Sequence, residues 1–143
     1  MLSLPLYFFT VLDCVICGML FSIIAPYEVF EKKMVKFPSL QFVNSFPFLV
    51  ILSCTTLFLS IAKIFFPIKN ASGMSVYFFG DLFPTLILFI SFCLLAFRAM
   101  SIQEEQNKIP PFFINLFRFD ALFGYVNFVI AFLHLFFSGV ILL

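Results

Sequence analysis

Residues 119–143 have the sequence FDALFGYVNFVIAFLHLFFSGVILL, which is almost entirely apolar. The small and polar side chains within it recur at steps of four, three, four, three and four residues, so they share one face of a helix. These residues are Asp120, Gly124, Asn127, Ala131, His134 and Ser138. The opposite face carries bulky apolar side chains. This pattern predicts a helix that packs against protein on one side and against lipid on the other.

Three further stretches have the same apolar character. A helix that crosses a hydrocarbon core of about 30 Å needs about 20 mostly apolar residues. Residues 4–25, 47–66 and 76–97 meet this requirement, and together with residues 119–143 they predict four transmembrane helices. We therefore expect an all-α integral membrane protein, a bundle of four transmembrane helices formed as a single polytopic membrane domain over residues 1–143.

The composition supports this fold class and argues against several others. Hydrophobic residues make up 64% of the 143 residues and charged residues only 10%, whereas soluble domains average roughly 45–50% and about 25%. Phe alone occurs 26 times. A formal net charge of +1 offers no basic field for phosphate, so we expect no nucleic-acid partner.

The first stretch has an alternative interpretation as a cleaved signal peptide. Such a peptide begins with a basic region and ends at a cleavage site formed by small residues. No charged side chain precedes Asp13, and the apolar run covers residues 4–25. We therefore interpret it as a retained transmembrane helix.

The basic residues predict the orientation in the membrane, because cytosolic loops carry an excess of Lys and Arg. The loops at residues 27–46 and 98–118 contain six basic residues, against two in or beside the loop at residues 67–75. The six are Lys32, Lys33, Lys36, Arg98, Lys108 and Arg118, and the two are Lys63 and Lys69. The first and third loops are expected in the cytosol, with both termini on the far side.

The loops contain two further features. Apolar side chains recur at helical spacing over residues 27–37, opposite a face that includes Lys32, Lys33 and Lys36, which predicts a short interfacial amphipathic helix. Asn70 begins an Asn-Ala-Ser triplet, an acceptor for glycosylation in a loop expected on the far side. Such triplets also occur by chance, and this one lies close to the bilayer, so its use as an acceptor is the weaker alternative.

The other spans also gather their small and polar side chains on one face. Lipid chains are as apolar as Leu, so helices in a membrane associate through close packing and hydrogen bonds between them. We therefore expect these faces to meet inside the bundle. The predicted packing face contains Gly18, Ser22, Ser53, Thr56, Ser60, Gly124, Asn127, Ala131 and Ser138.

Ionisable residues inside the spans are expected in pairs, because one charge near the bilayer centre costs roughly 2.5–3.5 kcal/mol. Asp13 and His134 each lie nine residues from the far-side end of their predicted helix. Lys63 and Asp81 lie four and five residues from the same surface. These depths predict an Asp13–His134 contact and a Lys63–Asp81 contact.

The residues give no indication of catalysis, and we expect no cofactor, no metal and no enzymatic activity. Cys14 and Cys17 form a CxxC sequence in the middle of a span, where a redox or zinc role would lack solvent access, so we interpret them as small apolar side chains. His134 is the single histidine, so a haem with two histidine ligands would need a second subunit.

Three functions remain open. The first is an accessory or structural subunit of a larger membrane complex, in the endoplasmic reticulum or another endomembrane. The second is a lipid-handling module that binds or channels lipid for a partner protein. The third is a minimal proton-coupled carrier. The mitochondrial inner membrane is the alternative location.

Overall fold

The computed structural model describes residues 3–24, 38–66, 82–103 and 118–136, together with positions 112 and 115. The described residues form four α-helices and no strand, which confirms the helical prediction for this part of the chain. The helices are α1 (Ser3–Met19), α2 (Phe46–Phe65), α3 (Leu82–Gln103) and α4 (Asp120–Phe136).

Three helical segments are long and apolar enough to cross a membrane. They are Pro5–Ile24, Phe46–Phe65 and Leu82–Ile102. α4 has 17 described residues, fewer than the about 20 that a full crossing needs. The remainder of the predicted span at residues 119–143 lies outside the described residues, as do most of the loops at residues 27–46 and 98–118.

Local sequence explains how α2 begins. Ser45 has an extended backbone at the start of α2, after a 3-10 helix at Pro38–Asn44. Pro47 follows in the first turn, where its missing amide hydrogen removes no intrahelical bond. At the C-terminal end of α1, the helix continues as a π-helical turn at Leu20–Ile24.

The four helices are arranged as two closely packed pairs. α2 packs along α3, and α1 packs along α4, whereas the contacts between these two pairs are less extensive. α1 approaches α4 closely at Gly18 and Gly124, which lack side chains. We refer to α1/α4 and α2/α3 as the two helix pairs.

Apolar side chains fill the interior in two clusters. The larger one lies toward the start of α2 and the end of α3, and its members are Cys17, Leu20, Phe21, Val43, Leu49, Leu52, Leu94, Leu95 and Ala99. The smaller one consists of Cys14, Leu59, Leu88 and Ala131. Between and around these clusters lie the buried polar groups that form the candidate site.

Candidate functional site

Buried polar and charged side chains line the interior of the bundle, and we call this set the polar column. None of its members is more than 5% exposed. They are Thr10, Asp13, Ser53, Thr56, Ser60, Lys63, Ser91, Arg98, Asp120, Asn127 and His134. On α4, Asp120, Asn127 and His134 follow one another at intervals of seven residues, about 10 Å of helix, so they divide the column into three layers.

The first layer is an ion pair between α3 and α4. Arg98 Nη2 donates a hydrogen bond to Asp120 Oδ2, and both side chains are buried. The guanidinium also lies over the Phe21 ring, 5.1 Å from its centroid. Each charge compensates the other, which offsets part of the cost of removing both from water.

This layer corrects the sequence analysis at Arg98. The predicted third span ended at residue 97 and assigned Arg98 to a cytosolic loop, but α3 continues to Gln103 and carries Arg98 inward. The sequence analysis took Arg98 as the end of the span because a guanidinium inside a bundle needs a counter-charge. Asp120 on another helix supplies that counter-charge.

The second layer consists of neutral hydrogen bonds. Asn127 Nδ2 donates to Ser91 Oγ at 2.9 Å and to the Phe123 carbonyl oxygen at 2.9 Å. Near this depth, Cys17 Sγ lies 3.9 Å from Thr56 Oγ1, linking α1 to α2. The Ser91–Asn127 and Cys17–Thr56 contacts are therefore contacts between neutral groups.

The third layer is built around His134. Lys63 Nζ lies 2.9 Å from His134 Nε2. The Tyr7 ring packs against the imidazole with a centroid distance of 4.8 Å, and the Tyr7 hydroxyl donates to the His134 carbonyl oxygen. An ammonium group has donors but no acceptor, so Nε2 accepts from Lys63 and the imidazole hydrogen belongs on Nδ1.

Asp13 on α1 lies beside Thr56 on α2, near the depth of the second layer. It is 5% exposed, and its Oδ2 atom has no hydrogen-bond partner within the described ranges. The sequence analysis paired Asp13 with His134, whereas the structure places Lys63 against His134. Counting depth between Cα atoms ignored the length of the lysine side chain, which can extend along the helix to another layer.

Other predicted residues lie outside the part of the chain that the structure describes. Asp81 is one of them, so the Lys63–Asp81 contact stays a prediction. The same is true of the interfacial Lys32, Lys33 and Lys36, of Asn70, and of Ser138. The remaining residues of the predicted packing face are buried, except for Ser22, which is half-buried. Ser22 Oγ donates to the Gly18 carbonyl oxygen at 2.6 Å.

Of the described polar contacts between different helices, most join one helix pair to the other. Lys63–His134 links α2 to α4, and Arg98–Asp120 links α3 to α4. The Ser91–Asn127 contact also links α3 to α4. Within the α2/α3 pair, Ser60 Oγ donates to the Thr85 carbonyl oxygen at 3.2 Å. The interface between the pairs is therefore the polar one.

Sequence reasoning missed the roles of Arg98 and Tyr7. Arg98 follows Ser91 by seven residues, the same interval that separates Asp120 from Asn127, and this match could have identified it. Tyr7 precedes Thr10 by three residues and therefore lies on the polar face of α1. An aromatic ring in a Phe-rich span gives little other indication of its role.

An apolar groove lies between α1 and α4 on the outside of the bundle. It encloses about 470 Å³ and has almost no polar lining. Val11 and Val15 line it from α1, and Phe128, Ala131 and Phe132 from α4. Among the described residues, no group of three or more His, Cys, Asp or Glu side chains could hold a metal ion.

These features define a small helical protein compatible with a membrane environment, with its polar groups turned inward. A protein-family profile whose description states no function matches residues 1–134, and the chain belongs to that family. Neither a curated protein nor a solved structure matches the chain.

Proposed function

We propose that this protein spans the membrane four times and acts as an accessory subunit of a larger membrane complex. The carrying observation is the division between a polar interior and apolar outer faces. The Asp, Lys, Arg and His side chains of the four described helices lie in the polar column, while large apolar side chains project outward from all four helices. A structural subunit needs only such an apolar outer surface, against which lipid or the helices of a partner can pack.

The outer faces offer broad surfaces to lipid or to the helices of another protein. Phe8 on α1 is 62% exposed and Phe58 on α2 is 68% exposed. Phe89 on α3 and Phe132 on α4 are exposed to a similar degree. Between membrane helices there is no hydrophobic driving force, so a partner must gain close packing or hydrogen bonds to displace lipid from one of these faces.

The proposal is tested by purifying tagged protein in a mild detergent and determining the mass and stoichiometry of the complex. We expect a fixed ratio to one larger membrane protein. Four matched variants, Phe8→Ala, Phe58→Ala, Phe89→Ala and Phe132→Ala, probe one helix face each. The complex should be lost in the variant at the docking face and retained in the others. Recovery of the chain alone, as a stable protein with no partner bound, contradicts the proposal.

A lipid-handling role is the second candidate, and the groove between α1 and α4 favours it. Its apolar lining suits an acyl chain, and it opens on the outer surface of the bundle. Val15→Phe would fill the groove, whereas Val126→Phe on α4 adds the same volume away from it. If lipid handling is the function, mass spectrometry should detect lipid retained through detergent exchange in the Val126→Phe variant and lost in the Val15→Phe variant.

The proposed orientation keeps the loops at residues 27–46 and 98–118 in the cytosol of an endomembrane. Removing the buried Arg98 and Lys63 from the count leaves Lys32, Lys33, Lys36, Lys108 and Arg118 on that side, against Lys69 on the other. The bias is therefore five to one and predicts the same orientation. Glycosylation at Asn70, or at an acceptor inserted beside it, tests the far-side placement of that loop.

A further inference from the structure

The carboxyl group of Asp13 is buried near the middle of the apolar segment Pro5–Ile24. Asp13 is 5% exposed, and its Oδ2 atom accepts no hydrogen bond from the part of the chain that the structure describes. We propose that Asp13 and Thr56 form a proton-binding site inside the bundle, in which Asp13 is a neutral carboxylic acid at neutral pH. This site goes beyond the accessory role and does not depend on a partner protein.

The two buried carboxyl groups of the described helices have different surroundings. Asp120 Oδ2 accepts a hydrogen bond from the Arg98 guanidinium, which compensates its charge. Asp13 forms no ion pair within the described ranges, and Lys63 on the facing helix contacts His134 instead. A buried carboxylate without a cation or a full set of donors is costly, so such a group takes up a proton and becomes neutral.

The Thr56 hydroxyl is oriented to accept a hydrogen bond from Asp13. Thr56 Oγ1 donates its hydrogen to the Leu52 carbonyl oxygen at 2.8 Å. A hydroxyl has one hydrogen and two lone pairs, so Thr56 presents lone pairs to the neighbouring Asp13 carboxyl. A carboxylate has acceptors only and would meet these lone pairs with no hydrogen between the two groups, whereas a carboxylic acid supplies that hydrogen.

The titratable neighbours of Asp13 on its own helix are thiols. Cys14 and Cys17 are both buried, and Cys17 Sγ lies 3.9 Å from Thr56 Oγ1. With its hydrogen directed to its own helix, Thr56 can accept one hydrogen bond from the Cys17 thiol and one from the Asp13 acid. Both contacts join α1 to α2 through neutral groups.

The first test determines the protonation state of Asp13 in the wild-type chain by NMR. Asp13 is the single aspartate that follows a leucine, because the residues before Asp81 and Asp120 are glycine and phenylalanine. Protein labelled with 13C-carbonyl leucine and 13C,15N-aspartate and reconstituted in lipid therefore identifies the Asp13 carboxyl signal without a variant. At neutral pH we expect the chemical shift of a carboxylic acid, upfield of the Asp120 carboxylate. A carboxylate shift for Asp13 overturns the proposal.

The second test uses two matched variants on α2. Thr56→Val keeps the shape of the side chain and removes the hydroxyl beside Asp13. Thr55→Val makes the same change at the adjacent, exposed position, where the hydroxyl donates within its own helix. We expect the Asp13 carboxyl signal to shift in Thr56→Val and to keep its position in Thr55→Val. An unshifted signal in Thr56→Val, or equal shifts in the two variants, contradicts the proposal.

Discussion

Gly124 and Ser22 lie so close together that α4 and α1 leave no room for a side chain at this position. A Cβ atom on Gly124 would lie 2.8 Å from the backbone nitrogen of Ser22 and 3.1 Å from the Gly18 carbonyl oxygen. Both of these are backbone atoms, which cannot move away as a flexible side chain can. The distance between α1 and α4 is therefore set by the absence of side chains at Gly18 and Gly124.

Gly124→Ala should destabilise the bundle because the added methyl group forces the two helices apart. Overpacking of this kind costs about 1–3 kcal/mol. The free energy of unfolding in detergent, measured by titration with a denaturing detergent, checks this expectation. Leu122→Ala on the outer face of α4 is the matched control and should change stability little. A Gly124→Ala protein as stable as this control would show that α1 and α4 do not pack as described.

Arg98→Met should be strongly destabilising, because it leaves Asp120 buried without the cation that faces it. Breaking a buried ion pair by removing one partner costs about 3–5 kcal/mol. Replacing both residues, as in Arg98→Met with Asp120→Leu, should recover most of the loss. Arg118→Met changes an exposed arginine and serves as the control. If the double variant is no more stable than Arg98→Met alone, the pair does not act as a unit.

Ser91→Ala and Asn127→Ala should be coupled in their effects on stability. Their side chains hydrogen bond in the middle of the column, and contacts of this kind in membrane proteins contribute about 0.5–2 kcal/mol. A double-mutant cycle on the free energy of unfolding measures the coupling. Thr55→Ala is the control, because the Thr55 hydroxyl is on the exposed side of α2 and donates within its own helix. Strict additivity of the two column variants would exclude the contact.

Asp13→Asn distinguishes a structural role from transport. The substitution keeps the shape of the side chain and removes its carboxyl group, so we expect the helices to assemble as in the wild-type protein. A proton-coupled carrier would lose transport without losing assembly, as measured by uptake into vesicles and by chromatography of the solubilised protein. Thr10→Ala, a neutral substitution on the same buried face, is the control and should leave both properties unchanged.

Helical periodicity was sufficient to identify the polar faces from the sequence. The alternation of three- and four-residue steps in α4 placed Asp120, Gly124 and Asn127 on one side, and all three are buried. The lengths of the apolar stretches also predicted where α1, with its π-helical turn, and α2 begin and end, to within a few residues. Periodicity fixes which way a residue points on its own helix, and this depends on local geometry alone.

The partners across the bundle were harder to predict because they depend on how the helices shift against one another. Lys63 was assigned to a different depth from His134, and its long side chain spans that difference. Arg98 was assigned to a loop, because hydropathy counts each charge separately and does not detect the Asp120 carboxylate on another helix. The pairing into α1/α4 and α2/α3 likewise has no signature in any single segment.

The arrangement of the helix pairs also imposes an order on biogenesis. α2 and α3 are consecutive among the described helices, so they can associate as soon as both have been synthesised. α1 must wait for α4, the last of the described helices to be synthesised, and until then Gly18, Arg98 and Lys63 lack the neighbours they meet in the finished bundle. A chain that ends before α4 would therefore lack Asp120 and His134, so the burial of Arg98 and Lys63 depends on the helix that is synthesised last among those described.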